Sequence, residues 1–149
     1  MGGGHYKNVT FDGCLLNRYD AHSGVLNASI INSTVGNISV VGGGVLRVEN
    51  TVIYDVVTVR FREDYGAFWH GDVILKNVTI NSDRGFYIFD TSWVNHNFGY
   101  QTAMPTNIII DGFYVAGTTK RALLFLRLKM AVTIILFLIG IYTALYTAI

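Results

Sequence analysis

Five short stretches of the chain repeat one pattern, an asparagine followed by apolar residues at alternate positions. They are KNVTFDG (7–13), LNASIIN (26–32), ENTVIYD (49–55), KNVTINS (76–82) and TNIIIDG (106–112). With Asn8, Asn27, Asn50, Asn77 and Asn107 as markers, successive units are 19, 23, 27 and 30 residues long. A period of two puts Val9/Phe11, Ala28/Ile30, Val78/Ile80 and Ile108/Ile110 on one face of each strand, with Thr51/Ile53 a weaker copy. Between the markers lie further short strands, VLRVEN (45–50), VVTVRF (56–61), DVILKN (72–77) and FYIF (86–89). No stretch from 5 to 117 sustains the 3.6-residue period of an amphipathic helix.

A unit of this size cannot bury its own Val, Ile and Phe side chains, but stacked copies join them into a continuous column. The repeat therefore predicts an all-β fold, a right-handed single-stranded parallel β-helix of about five coils over residues 5–117. Its rungs would lie roughly 4.8 Å apart. The marker asparagines would form a ladder of side-chain amides, and the growing spacing would become loops at one or two corners. Such loops are where function usually resides. An antiparallel sandwich explains the strand spacing but not the recurring marker.

Composition supports many short strands and tight bends. Gly is frequent at 16 and Pro occurs once, and Gly and Asn readily take the positive-φ conformations of turns. With 14% charged residues and a net charge of +1, there is no basic stripe for a nucleic acid to bind. Cys14 is the single cysteine and reads as a small core residue. Gly42-Gly43-Gly44 lacks the Lys-Ser/Thr of a phosphate loop and reads as a tight corner between strands. Asn-x-Ser/Thr sequons at Asn8, Asn27, Asn32, Asn37 and Asn77 follow from placing Asn before Thr- and Ser-containing strands. His5 and His96 are isolated, no metal-ligand spacing stands out, and no cofactor is expected.

The segments NRYDAHSGVLNASIINSTVG (17–36), VVGGGVLRVENTVIY (40–54) and VRFREDYGAFWHGDVILKN (59–77) carry a family resemblance. On them the chain resembles the right-handed parallel β-helix (pectin-lyase-like) superfamily, in particular an uncharacterised bacterial and phage-associated branch, over about residues 7–115. The resemblance implies a β-helix and a glycan partner. It does not fix a reaction, because that superfamily holds lyases, hydrolases, tailspike enzymes and non-catalytic adhesins.

Two segments concentrate charge. In NRYDAH, Arg18, Asp20 and His22 share a strand face; in RFREDYGAFWHGD, Arg60, Arg62 and Asp64 do, followed by Trp69, His70 and Asp72. Arg18 lies 10 residues past Asn8 and Arg60 lies 10 past Asn50, which puts both segments at one corner, two coils apart. Two coils are roughly 10 Å, just beyond the ~6.5–9.5 Å between the carboxylates of inverting glycosidases. The catalytic reading takes Asp20 and Asp64 as acid and base, with His22 adjusting their protonation. In the lyase variant Arg62 or His22 is the base beside a uronate carboxylate. Arg18, Arg60, Tyr65, Trp69, His70 and Asp72 would then bind substrate, the arginines on a sugar carboxylate and the aromatics on pyranose faces. Phe68 could join the aromatics in that role. The alternative is structural, with Arg and Asp pairing along the corner.

Composition changes after Gly117. Residues 130–149 form a 20-residue run without charge, preceded by Lys120, Arg121, Arg127 and Lys129. That length suits a membrane-spanning helix, so 118–149 is expected to be a basic linker and a hydrophobic anchor. The alternatives are further β-strands, given its β-branched content, or the tail of an interrupted reading frame. No basic and apolar leader opens the sequence. The basic cluster favours a cytoplasmic N-terminal side, whereas a glycan-binding module would face outward. The expectation is a surface-type or membrane-associated module that binds, and in one version cleaves, polysaccharide, with self-association open to it. Its rival is a non-catalytic structural or adhesive β-solenoid, membrane-anchored or an incomplete copy of a larger protein.

Overall fold

The computed structural model describes residues 6–21, 24–61, 69–83, 86–90 and 105–116, together with the backbone of 133–137. Among these residues every element is a strand and every strand pairing is parallel. One sheet runs through β1 (Tyr6–Asp12), β4 (Val25–Ile31), β7 (Gly42–Ile53), β9 (Trp69–Asn81), β11 (Asn107–Ala116) and β12 (Thr133–Phe137) in that spatial order. The short strands β2 (Leu15–Leu16) and β5 (Thr34–Val35) pair in line with the second half of β7. The other sheet is β3 (Tyr19–Asp20), β6 (Ile38–Val40), β8 (Val57–Phe61) and β10 (Tyr87–Asp90). The chain visits the two sheets alternately, and each visit lays a strand beside the one before. Parallel neighbours require such crossovers, since a hairpin gives only antiparallel ones.

Period-two alternation sorts the first sheet into columns that run across the rungs. Val9, Ala28, Leu46, Val73 and Ile108 occupy one, and Phe11, Ile30, Val48, Leu75 and Ile110 the next. Leu16, Val35, Ile53 and Ile80 form a third. From the second sheet come Tyr19, Ile38, Val59 and Phe89, and the Phe61 ring stacks on Phe89 at 5.7 Å. All these residues belong to one core cluster or pack against it. Each fully buried aliphatic side chain stabilises the fold by about 1.5–3 kcal/mol over leaving it in water, and no rung could supply that burial alone.

A bend that follows β1 and β4 and lies within β7, β9 and β11 recurs in one conformation. Gly13, Asn32, Asn50, Asn77 and Gly112 follow one another in register, and their φ angles are 64°, 50°, 49°, 50° and 76°. This left-handed region costs most L-residues about 1–2 kcal/mol, and Gly and Asn tolerate it best. The asparagines add hydrogen bonds across the rungs. Asn77 Nδ2 donates to Asn50 Oδ1 at 3.2 Å, Asn50 Nδ2 to Asn32 Oδ1 at 3.2 Å, and Asn32 Nδ2 to Asp12 Oδ1 at 2.9 Å.

The marker asparagines therefore form two columns, not one. Asn8, Asn27 and Asn107 belong to the column at the start of these strands, where Asn27 Nδ2 donates to Asn8 Oδ1 and Asn107 Nδ2 to Asp72 Oδ1, both at 2.8 Å. Asn50 and Asn77 belong to the left-handed bend, together with Asn32, which the marker pattern passed over. The two columns look alike in sequence because each precedes a strand segment whose first and third residues point inward. Measured on the bend, the rungs are 19, 18, 27 and 35 residues apart.

Three further expectations change. The glycine run is not a corner between strands but the bulged beginning of β7, where the register with β4 shifts between Val25 and Ala28. Gly44 has φ 78°, and a Cβ there would fall 1.9 Å from the Leu26 carbonyl oxygen. Cys14 is half-buried and at the rim of the core, with its N–H donating to Ser33 Oγ at 3.0 Å. In the apolar tail, Thr133–Phe137 is a strand paired with β11, where a helix was expected. Its Thr-Ile-Ile start suits extended backbone, and β11 offers it a free edge. Among the described residues no helix is long and apolar enough to cross a membrane.

Asn50→Ala should lower stability by roughly 3–4 kcal/mol, about 1–2 from the left-handed conformation and about 1 for each of its two ladder bonds. Asn50→Gly should recover the conformational part and lose only the hydrogen bonds. Urea unfolding followed by circular dichroism measures both, and equal losses would refute this division.

Candidate functional site

The charged segments lie on the second sheet. There Asp20, Ser39, Arg60 and Asp90 occupy consecutive rungs of one column. Each alternates with inward neighbours, Tyr19, Ile38, Val59 and Phe89 being core residues, so the column belongs to the opposite face. Arg60 thus stands two rungs from Asp20, as the spacing of the charged segments implied. The residue in its column is Asp20 rather than Arg18, whose register partner is Asn37, because β3 and β6 pair Tyr19 with Ile38.

The charges in this column engage one another. Arg60 Nε donates to Asp90 Oδ2 at 3.1 Å, and Arg18 Nη2 lies 3.6 Å from Asp20 Oδ2. Asp20 is buried, while the Arg18 side chain is largely exposed. Ser39 between them is also buried, as is Thr58 of the neighbouring outward column. Burial on both faces of β6 and β8 favours holding the charged groups here in fixed pairs, whereas the buried Thr58 hydroxyl has no hydrogen-bond partner. At about 4.8 Å per rung, Asp20 and Asp90 stand roughly 14 Å apart. That is too far for two carboxylates to act on one glycosidic bond.

The other candidates scatter. Trp69 is fully buried and its Nε1–H donates to the Asp72 carbonyl oxygen at 3.2 Å, so its ring offers no face to a sugar. The bulge brings Trp69 opposite Gly42, where the missing side chain leaves room for a large ring. Asp72 takes the place of an asparagine in the strand-start column and accepts the Asn107 amide. His70 is exposed opposite Gly43. Asp64, His22, Arg62 and Tyr65 lie outside the described residues, as do Phe68, His5 and His96.

Sequence reasoning missed Ser39 and Asp90 as members of the charged column. The signal was available only through register, because their rungs contain no charge run. It also missed a second cluster on the outer face of the first sheet. Glu49 Oε2 accepts from Arg47 Nη1 at 3.1 Å, and Glu49 Oε1 lies 3.6 Å from Lys76 Nζ. Asp111 follows Lys76 on the next rung. Signs alternate along this column, which keeps like charges apart. Among the described residues no group of His, Cys, Asp or Glu could hold a metal ion.

Tyr19 differs from the charged groups. Its ring meets Phe11 edge-on at 5.2 Å, its hydroxyl is buried without a hydrogen-bond partner, and burial pushes its pKa up to about 12. A raised pKa means that the native state holds this proton more tightly than the unfolded chain. The associated stability is complete below pH 10, the ordinary tyrosine value, and is lost as pH rises towards about 12. Tyr19→Phe should remove this loss and, by deleting an unsatisfied hydroxyl, leave neutral-pH stability unchanged or raised by about 1 kcal/mol. Unfolding midpoints at neutral and alkaline pH test this, and a variant destabilised at neutral pH would show that the hydroxyl is satisfied.

No protein-family model, curated protein or solved structure matches the chain.

Proposed function

We propose that the chain is a right-handed parallel β-helix of the pectin-lyase-like kind and serves as a structural or adhesive module at a cell surface. The all-parallel pairing and the recurring left-handed bend support the β-helix reading. One observation carries the functional half: the candidate residues Arg18, Asp20 and Arg60 are held in ion pairs, as are Arg47 and Lys76 of the first sheet. Arg18 sits on Asp20, Arg60 on Asp90, and Arg47 and Lys76 on Glu49. An acid and base at work need carboxylates facing a substrate, with protonation states set apart by their surroundings. Of these pairs, Arg60 with Asp90 and Lys76 with Glu49 cross from one rung to the next and favour the observed register, while the other two hold their charges within a rung.

Polysaccharide binding, with cleavage by Asp20 and Asp64, is a second reading. It is favoured by the shared column of Asp20 and Arg60, roughly 10 Å apart over two rungs. In that version Arg62 and His22 assist the acid and base. Arg18, Arg60, Tyr65, His70 and Asp72 supply the contacts to an acidic glycan.

Asp20→Asn separates the two. The structural reading predicts a lower unfolding free energy, by up to about 1 kcal/mol for a pair whose arginine is largely exposed, and no effect on glycan turnover. Mass spectrometry of digests from a panel of acidic and neutral polysaccharides measures turnover directly. Cleavage by the wild-type chain that disappears in a folded Asp20→Asn protein would overturn the structural reading.

A further inference from the structure

Among the described residues the first rung is built like the others but has a neighbour on one side only. Val9, Phe11 and Leu16 hold the inward positions that are buried on higher rungs by Ala28, Ile30 and Val35, yet all three are only partly buried. Among the described residues nothing pairs with the outer edge of β1. Gly13 N–H donates to the Ile31 carbonyl oxygen at 3.1 Å, so it points towards β4. Alternation along the strand then turns the N–H groups of Asn8, Thr10 and Asp12 to the open edge. Such an edge is a template for another strand.

The side chains on that edge indicate which strand. Asn8 uses its Oδ1 to accept from Asn27, which leaves its Nδ2 donors directed away from the stack. Asp12 accepts from Asn32 through Oδ1, which leaves Oδ2 as an acceptor. A donor and an acceptor two residues to either side of Thr10 match themselves under a two-fold axis through Thr10.

We propose that two copies of this chain associate through their β1 edges, antiparallel, with Thr10 on the two-fold axis. In this register Thr10 faces Thr10 of the second copy, Asn8 faces Asp12, and Val9 faces Phe11. The backbone N–H groups of Asn8, Thr10 and Asp12 lie at hydrogen-bonded positions of the new ladder. Inward residues meet inward residues, so Val9 and Phe11 of both copies become covered. The contact uses the same surface on both partners and is therefore closed, giving a dimer and not a fibre.

Cysteine cross-linking of the full chain tests the register. In a Cys14→Ser background, Thr10→Cys places two cysteines at a hydrogen-bonded antiparallel pair, about 5.5 Å between Cα atoms, which is within disulfide reach. Mild oxidation should convert most of this variant to a disulfide-linked dimer. Lys7→Cys in the same background faces Gly13 and should remain uncrosslinked. Sedimentation velocity should show a dimer for the wild-type chain and a monomer for Thr10→Pro. That proline deletes an N–H turned away from β4, so the circular dichroism of the variant should stay β-rich. A wild-type monomer at tens of micromolar would overturn the proposal. So would a dimer that survives Thr10→Pro, or equal cross-linking through Lys7→Cys, since each places any self-association elsewhere.

Discussion

Every rung of the first sheet depends on its left-handed bend. At Gly13, Asn32, Asn50, Asn77 and Gly112 the backbone turns with φ between 49° and 76°, and only there can the next segment start in step with the one before. Most side chains pay for this conformation with steric strain, whereas asparagine offsets it by bonding to the rung beneath. The bend thus sets direction and the amide ladder sets height. With both fixed, the inward columns of Val, Ile, Leu and Phe align without further instruction, and their burial supplies most of the stabilisation.

The first and last described bends differ from the middle three in a consistent way. Gly13 and Gly112 provide the conformation without a side chain, so the ladder of left-handed asparagines spans Asn32, Asn50 and Asn77. Below, Asp12 terminates it as an acceptor; above, Gly112 leaves Asn77 Oδ1 without a neighbouring amide in its column. Variation in rung length, from 18 to 35 residues, is absorbed on both sides of the second sheet, since the stretch from the bend to its inward column grows from 6 to 12 residues and the stretch from there to the next bend from 12 to 23. The bend itself is held constant.

Much of this architecture is legible in the sequence. Alternation of the pairs Val9/Phe11 to Ile108/Ile110 identifies inward columns, and the recurrence of Asn identifies ladders. Register is harder to read, because Asn27 and Asn50 head similar segments at different corners. Only the backbone shows that Ser29 pairs with Arg47, five residues short of where a single marker column would place its partner. Charge was read less well than shape. Trp69 next to His70 and Asp72 resembles an exposed sugar-binding group, yet it shares the parity of the inward Val73 and Leu75 and its indole is fully buried. Asp90 looked isolated until register placed it beside Arg60. Local sequence carries periodicity, whereas the pairing of Arg60 with Asp90 joins residues 30 positions apart.

The account stands on the stacking register, which a pair of engineered cysteines reads directly. In a Cys14→Ser background, Ser29→Cys combined with Arg47→Cys places thiols on adjacent rungs of one outward column. Their Cα atoms should be roughly 4.8 Å apart, so oxidation should close an intramolecular disulfide that peptide mapping by mass spectrometry identifies. Ser29→Cys with Val52→Cys represents the register in which Asn27 and Asn50 stack, and it should stay reduced. A disulfide in the second pair and none in the first would contradict the two-column bend on which the structure is built.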